Sequence, residues 1–213
     1  MNPLVVDPDH LVVAALDLAQ GCDWVEERLG FRPQPGGRHV AMGTHNALLS
    51  LGLRFYLEVI AVDPEGVKPS RPRWFDLDEP RLKADLAEGP QLIHWVARTA
   101  DIAAAVARMP ALGVATPMAR GDFAWRITIP DDGHRPQRGL VPTLIQWADA
   151  RHPADALPDR GLRLALLASE HPEPAAVRAD LATLGLSETL KVTYAKSPRL
   201  AAMIRTPRGT ATL

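Results

Sequence analysis

Four polar side chains interrupt apolar runs of the sequence at matching positions, and their types are those that bind metal ions. They are His10, Glu58, His94 and Gln146. Glu58 follows His10 by 48 residues and Gln146 follows His94 by 52 residues, so two similar stretches carry one pair each. A carboxylate inside an apolar strand is costly to bury unless it is paired or coordinated. Together the four side chains would form an N/O ligand set suited to Zn, Mn, Fe, Co or Ni, with neutral imidazoles and an ionised carboxylate near pH 7.

The alternative interpretation is structural. A single histidine in a strand is more often a hydrogen-bonded core residue than a ligand, so the metal hypothesis depends on all four residues occurring at equivalent positions.

Other side chains are weaker candidates. His45 alternates with apolar residues along a strand and could face a cavity as a catalytic base, or could be a packed, hydrogen-bonded histidine. Arg126 lies between apolar residues, where a guanidinium could bind a substrate carboxylate or face water at a strand edge. Trp95 and Trp125 are expected in the core or in the wall of a substrate cavity. We expect His39 at a surface turn.

A repeat organises the elements that must position these residues. Three segments share an apolar run followed by an amphipathic helix, and these helices end at Gly30, Gly113 and Gly185. Asp17 and Asp101 are placed as N-caps of the first two helices. Three short strand-like runs follow each glycine, so each repeat predicts β-α-β-β-β.

The boundaries follow from this repeat. The first two modules span about 7–62 and 91–149 and form one domain over 1–150, whereas the third spans 160–213. Positions of the third module that correspond to the ligand pair are Leu166 and Thr212, so we expect a structural role for it.

Two connections stand out between these elements. Asp63–Pro90 is rich in proline and charge and is expected to be a linker, with a short helical turn near Arg81–Ala87. Asp131–Pro142 is a polar loop that could close over a site or be an ordinary surface excursion.

Composition limits the class of protein. The chain has 213 residues, 46% of them hydrophobic, and a net charge of -1 from 24 basic and 25 acidic residues, so there is no charge excess for nucleic-acid binding. Cys22 is the only cysteine, which excludes an intramolecular disulfide. No run approaches the roughly 18 apolar residues of a membrane helix, and the N-terminus does not resemble a signal peptide, so we expect a cytoplasmic protein.

The motifs Asp9-His10-Leu-Val-Val, Gly43-Thr-His-Asn46, Tyr56-Leu-Glu-Val-Ile-Ala-Val-Asp-Pro64 and Ile93-His-Trp95 resemble the vicinal-oxygen-chelate superfamily, in particular its glyoxalase-like members. The resemblance covers about residues 7–150. It implies an α+β fold in which two βαβββ modules curl around a shared cavity, with an appended third half-module. It also implies metal ligands on the first and last strand of each module, hence His10, Glu58, His94 and Gln146. Gln146 departs from the glutamate that many members carry there.

The sequence is compatible with three functions. The first is a divalent-metal-dependent lyase, isomerase or dioxygenase that acts on a small molecule with vicinal oxygens. The second is a metal-free protein that binds or sequesters a small molecule, of the bleomycin-resistance type. The third is a structural or regulatory module with a vestigial site. A monomer and a homodimer are both compatible with the sequence.

Overall fold

The structure, a computed structural model, describes residues 4–213, which form two β-sheets and four α-helices. The larger sheet contains β1 (Val6–Ala14), β2 (Gln34–His39), β3 (Thr44–Ser50), β4 (Tyr56–Val62), β5 (Gln91–Thr99), β6 (Val114–Arg120), β7 (Phe123–Ile129) and β8 (Thr143–Trp147). The smaller sheet contains β9 (Arg163–His171), β10 (Lys191–Tyr194), β11 (Arg199–Thr206) and β12 (Gly209–Thr212). The helices are α1 (Leu18–Leu29), α2 (Pro80–Ala87), α3 (Ile102–Arg108) and α4 (Pro174–Thr183). Within this range no helix is long and apolar enough to cross a membrane.

The eight-stranded sheet consists of two copies of one module, as the repeat predicted. Its strand order is β2-β3-β4-β1-β5-β8-β7-β6. In each half the first strand pairs in parallel with the last strand of its own module, β1 with β4 and β5 with β8. The two halves join where β1 and β5 pair antiparallel. This arrangement confirms the predicted α+β fold of paired βαβββ modules.

The third module has the predicted order of elements but a different strand pairing. In the smaller sheet the order is β10-β9-β11-β12, so β9 pairs in parallel with β10 and antiparallel with β11. The first strand therefore lies between the second and third strands instead of beside the fourth. The module is appended to the main sheet and is not a third equivalent of its halves.

Local sequence signals begin α1 and α3 and end α1 where they were predicted to, whereas α3 ends at Arg108 and a short 3-10 turn, Pro110–Leu112, leads to the predicted end at Gly113. Asp17 accepts a hydrogen bond from Gln20 N, and Gly30 ends α1 in the left-handed conformation with a φ of 81°. Asp101 accepts a hydrogen bond from Ala104 N at the start of α3. These side-chain oxygens satisfy N–H groups that have no partner within the helix.

The two faces of the larger sheet have different surroundings, and this difference determines which strand residues can reach a ligand. On β1, Leu11 and Val13 belong to a core shared with helix and third-module residues such as Val25 and Ile204. Val12 belongs to a second core on the opposite face. Because side chains alternate along a strand, a shift of one residue moves a side chain from one face to the other.

Candidate functional site

A small cavity lies on the face of the larger sheet that is opposite α1, α3 and α4. Its free volume is about 20 Å³, room for about one water molecule. The polar residues that line it are His10, His39, Glu58 and Arg120. Its aromatic residues are Tyr56, Trp74, Phe75, Trp125 and Trp147. A few titratable groups among apolar and aromatic walls are typical of small-molecule sites.

His10 is fixed in the cavity wall by a buried carboxylate. Its Nδ1 lies 2.7 Å from Oδ1 of the neighbouring Asp9, and its ring stacks on Tyr56 with ring centroids 4.6 Å apart. The other oxygen of Asp9, Oδ2, accepts hydrogen bonds from Trp147 Nε1 at 3.0 Å and from His152 Nε2 at 3.1 Å. His152 can donate from Nε2 because its Nδ1 accepts a hydrogen bond from Ala154 N. The Asp9 carboxylate is therefore surrounded by donors.

The charge of Asp9 determines the tautomer of His10. Burial alone would raise the pKa of this carboxyl, but the hydrogen bonds from His10 and His152 hold its pKa well below the usual range. An ionised Asp9 can only accept, so Nδ1 of His10 carries the proton that lies between them. In the neutral imidazole Nε2 is then unprotonated, and it lies 3.7 Å from Glu58 Oε2. His10 thus presents a basic nitrogen to the cavity.

Glu58 is held by an amide from the neighbouring strand. Asn46 Nδ2 donates to Glu58 Oε1 at 2.5 Å, and Asn46 Oδ1 accepts from Gly37 N at 3.0 Å. A Cβ atom on Gly36 would lie 2.2 Å from Asn46 Oδ1, so the glycine leaves room for this amide. Oε2 of Glu58 remains directed toward His10.

His39 is a cavity residue, which corrects the expectation that it occupies a surface turn. It lies at the end of β2 and is buried, with Nδ1 3.1 Å from Thr44 Oγ1. Its Nε2 is the acceptor for Asn46 Nδ2 and Arg120 Nη1, each at 3.4 Å. Burial lowers the pKa of His39 to about 4, so the ring is neutral at pH 7.

The segment expected to be a linker instead covers the cavity. Trp74 and Phe75 are buried and stack on each other, with ring centroids 5.4 Å apart. Phe75 and Asp76 have φ values of 61° and 59°, a left-handed conformation that is unusual for residues other than glycine. Asp76 holds this segment in place. Its Oδ2 accepts a hydrogen bond of 2.7 Å from Nε of Arg135, a residue of the polar loop 131–142. Both connections thus contribute to closing the site.

Two nitrogen donors in the cavity wall have no hydrogen-bond acceptor among residues 4–213. They are Nε1 of Trp74 and Nε1 of Trp125, both buried. A buried N–H without a partner destabilises the protein by about 1–3 kcal/mol. These indoles could donate to an acceptor atom on a bound molecule.

His94 lies on the cavity side of β5, but both of its ring nitrogens are occupied. Nδ1 lies 2.9 Å from the Gly139 carbonyl oxygen, to which it donates, and Nε2 accepts from Thr143 N at 3.1 Å. The ring is completely buried and packs against Phe75, and burial lowers the pKa of His94 to about 3. His94 therefore acts as a neutral link between β5 and the start of β8.

Gln146 lies on the opposite face of the sheet from the cavity. Its Oε1 accepts a hydrogen bond from Ile102 N at 3.0 Å, so it caps the first turn of α3. The neighbouring residues Ile145 and Trp147 are the ones that line the cavity. The expected ligand position is thus displaced by one residue, which corrects the prediction that Gln146 belongs to the site.

Three secondary candidates also lie outside the cavity. His45 alternates with Asn46 on β3 and so faces the other side of the strand. Arg126 is exposed and donates to the Ala115 carbonyl. Trp95 is fully buried in the core on the other face of the sheet, together with residues of α1 and α3. Its Nε1 donates a hydrogen bond to the Leu140 carbonyl. In each case the alternation of side chains along the strand directs the residue away from the cavity.

Of the sequence-predicted residues, the structure brings His10, Glu58 and Trp125 together at the cavity. With His94 occupied and Gln146 on the other face, the predicted ligands left in the wall are one imidazole nitrogen and one carboxylate. Across the described part of the chain no three His, Cys, Asp or Glu side chains cluster in a way that could hold a metal ion. The donor set therefore does not fit the expected divalent-metal centre.

Sequence reasoning missed several residues that shape the site. Asp9 had a signal, because an acidic residue directly before a candidate histidine can orient its ring. Arg120 and His152 had none, since each reaches the site from a strand end or a loop. Trp74 was missed because the proline-rich segment around it reads as a linker.

Comparison with known proteins agrees with this architecture. The sequence model of the family described as "Glyoxalase-like domain" matches residues 9–185. The crystal structure of a hypothetical protein from Staphylococcus aureus superposes with a TM-score of 0.62 at 12% identity, covering 92% of this chain and 88% of that one. This second likeness shows a shared fold.

Methylmalonyl-CoA epimerases are also similar, at lower scores. The enzyme from Mycobacterium tuberculosis has 20% identity and a TM-score of 0.42, covering 68% of this chain and 89% of that one. A variant of the Streptomyces coelicolor enzyme, in complex with 2-nitronate-propionyl-CoA, has 23% identity and a TM-score of 0.41, with coverages of 69% and 98%. Among curated protein sequences no significant match is found.

Proposed function

This chain belongs to the glyoxalase-like domain family, and we propose that it is an enzyme that transfers protons on a small oxygen-bearing anion, with His10 and Glu58 as its acid–base pair. The observation that carries the proposal is the position of His10 Nε2, 3.7 Å from Glu58 Oε2, inside an aromatic cavity. Two adjacent groups that can exchange a proton suit isomerisation, epimerisation and elimination reactions.

His10 is suited to be the general base because its other nitrogen is committed. When Nε2 takes a proton from a carbon next to a carbonyl group, the electron pair moves onto the carbonyl oxygen as an enolate. The imidazolium that forms lies between two carboxylates, Asp9 at Nδ1 and Glu58 near Nε2. The ionised Asp9 stabilises this cation without moving, as a preorganised partner does.

Glu58 has a separate role. Asn46 holds one of its oxygens, so the other can take the proton from the His10 imidazolium and return it to the enolate carbon, or keep the His10 ring in place. Proton transfer by a positioned side chain typically contributes 10²- to 10⁴-fold to the rate.

Arg120 suggests that the substrate is an anion. It lines the cavity. Among the described residues, its guanidinium group donates only one hydrogen bond, a weak one to the neutral ring of His39. A guanidinium in such a place binds carboxylates with geometric specificity. The indole N–H groups of Trp74 and Trp125 add donors for a carbonyl or enolate oxygen. The substrate class that follows is a small carboxylic acid with a carbonyl group beside a C–H bond.

Deuterium exchange tests this proposal without a known product. The protein is incubated in D₂O with oxo-carboxylates such as pyruvate, 2-oxobutyrate and acetoacetate, and incorporation of deuterium is followed by mass spectrometry. We expect at least one compound to exchange faster than in buffer. His10→Gln and Glu58→Gln should each lower that acceleration by about 10²- to 10⁴-fold. Arg120→Gln should mainly raise the concentration needed for half-saturation.

The matched controls are His45→Gln and Arg126→Gln, because these residues have the same chemistry but lie away from the cavity. Both should exchange as fast as the unmodified protein. Exchange that persists at full rate in His10→Gln would refute the assignment of the base. Circular dichroism and thermal unfolding must first show that each variant is folded.

A second candidate, a metal-free protein that sequesters a small molecule, is favoured by the number of aromatic residues in the wall. The two unpartnered indole N–H groups could anchor such a ligand without any reaction. Tight binding of an oxo-carboxylate, seen as a change in tryptophan fluorescence, with no deuterium exchange at any pH would favour this function over catalysis.

A further inference from the structure

A second, larger cleft lies outside the cavity, between the main sheet, α2 and the third module. Its free volume is about 350 Å³. Four arginines from three separate parts of the chain line it, Arg81 at the start of α2, Arg135 and Arg138 in the loop 131–142, and Arg199 at the start of β11.

The positive charge of this cleft is only partly compensated. Arg135 pairs with Asp76, whereas the guanidinium groups of Arg81, Arg138 and Arg199 form no ion pair or hydrogen bond with any of residues 4–213. Asp85 is the one acidic residue among the described residues that line the cleft. Its backbone carbonyl accepts a hydrogen bond from the Gln91 side chain.

Two more acids, Asp76 and Glu79, lie in the adjoining part of the cleft. Asp76 is already bound by Arg135 and His134, which together lower its pKa against the effect of burial. Like charges held near one another in a concave site raise the local potential and attract anions. A bound anion would relieve the repulsion among these arginines.

The backbone around Arg138 is held in a strained conformation. Gln137 and Arg138 have φ values of 49° and 55°, and both are non-glycine residues in the left-handed region. The Gln137 side chain donates to Asp180 on α4 at 2.7 Å, so the loop is fastened to the third module. Strained residues of this kind persist where the surrounding structure holds them, and they concentrate at ligand sites.

Part of the remaining lining is apolar, which indicates a ligand with an apolar part beside its charged group. Trp24, Leu92 and Leu200 form part of the wall, and Ser197 adds a hydroxyl group. We infer that this cleft binds a small organic phosphate, with the phosphate group on Arg81, Arg138 and Arg199 and the apolar part against Trp24 and Leu200. A phosphate has three acceptor oxygens and a larger negative charge, so it suits three guanidinium groups better than a single carboxylate does.

Titration calorimetry with phenyl phosphate tests the inference, with benzoate as the carboxylate of the same shape. The unmodified protein should bind phenyl phosphate at least tenfold more tightly than benzoate, and binding should weaken as salt rises. Arg138→Gln and Arg199→Gln should each weaken binding about 10- to 100-fold, as expected for one charge-assisted hydrogen bond. The variant Arg81→Gln, Arg138→Gln, Arg199→Gln should show no binding.

Arg126→Gln is the matched control, because this exposed arginine lies on another surface, and it should bind as the unmodified protein does. His10→Gln should also bind normally, which separates this site from the cavity. The inference is overturned if phenyl phosphate does not bind, if benzoate binds equally well, or if the triple variant keeps its affinity while its thermal unfolding is unchanged.

Discussion

Replacing Gln146 tests whether the face of β8 is assigned correctly. In the structure its Oε1 accepts the N–H of Ile102, the first residue of α3. Gln146→Met keeps a side chain of similar length and removes the acceptor. The N–H of Ile102, whose side chain is completely buried, then loses its partner. Gln146→Glu keeps an acceptor and places a negative charge at the N-terminus of the helix, where it is favourable.

The magnitude follows from the lost hydrogen bond. Loss of a cap or of one partner to a poorly solvated N–H costs about 1–2 kcal/mol. For a chain of this size each kcal/mol lowers the melting temperature by about 2–4 °C, so Gln146→Met should melt about 2–8 °C lower. Gln146→Glu should lose less than half as much. Scanning calorimetry at pH 7 measures both variants against the unmodified protein.

The metal content of Gln146→Glu tests the alternative assignment, in which residue 146 faces the cavity. If residue 146 faced the cavity, Gln146→Glu would join His10 and Glu58 and create a third ligand. The structure predicts instead that this variant, mixed with Zn, Mn, Fe, Co or Ni and then desalted, retains no more metal than the unmodified protein by plasma mass spectrometry. Stoichiometric metal in Gln146→Glu that is lost on adding Glu58→Gln would refute the assignment of this face.

Three further predictions concern the groups around the cavity. Because burial lowers the folded-state pKa of His39 to about 4 and of His94 to about 3, their contribution to stability is complete above pH 6.5 and is lost as pH falls from 6.5 toward those values. Between neutral pH and pH 4, His39 alone should account for a loss on the order of 3 kcal/mol in the free energy of urea unfolding, and His39→Asn should flatten that part of the profile. Asp76→Asn should lower stability by about 1–3 kcal/mol and shift tryptophan emission to longer wavelength, because the segment over the cavity loses its ion pair. Gly36→Ala should lower the melting temperature measurably, since the new methyl group displaces Asn46, and an unchanged melting temperature would contradict that contact.

The fold was predictable because its signals are local and repeated. Asp17 and Asp101 mark helix starts, Gly30 marks a helix end, and the same order of elements recurs three times. Strand pairing was predictable only where the resemblance to a known family supplied it. In the third module the run Lys191–Tyr194 predicts a strand equally well on either side of Arg163–His171, and long-range packing decides between them.

The residues of the site were predictable only where the sequence indicates which face of the sheet each strand residue occupies. His10 begins a long apolar run and Glu58 lies within another, whereas β8 has only five residues and its register is set by β7, where Trp125 pairs with Trp147. An error of one residue there moved the expected ligand to Gln146. His94 was placed on the right face, but its partners come from the loop before β8, and the sequence gives no pattern for such contacts.

The two halves of the sheet therefore contribute different chemistry to one cavity. The first module supplies the titratable pair, His10 and Glu58, each held by a neighbour within that module. The second supplies walls and charge, with Trp147 on the last strand, where a symmetric metal centre would need a ligand, Trp125 on the strand before it, and Arg120. Equivalent strands of the two halves therefore carry different side chains at the cavity. Acid–base chemistry and substrate recognition should accordingly be separable by mutation, the former through the first module and the latter through the second.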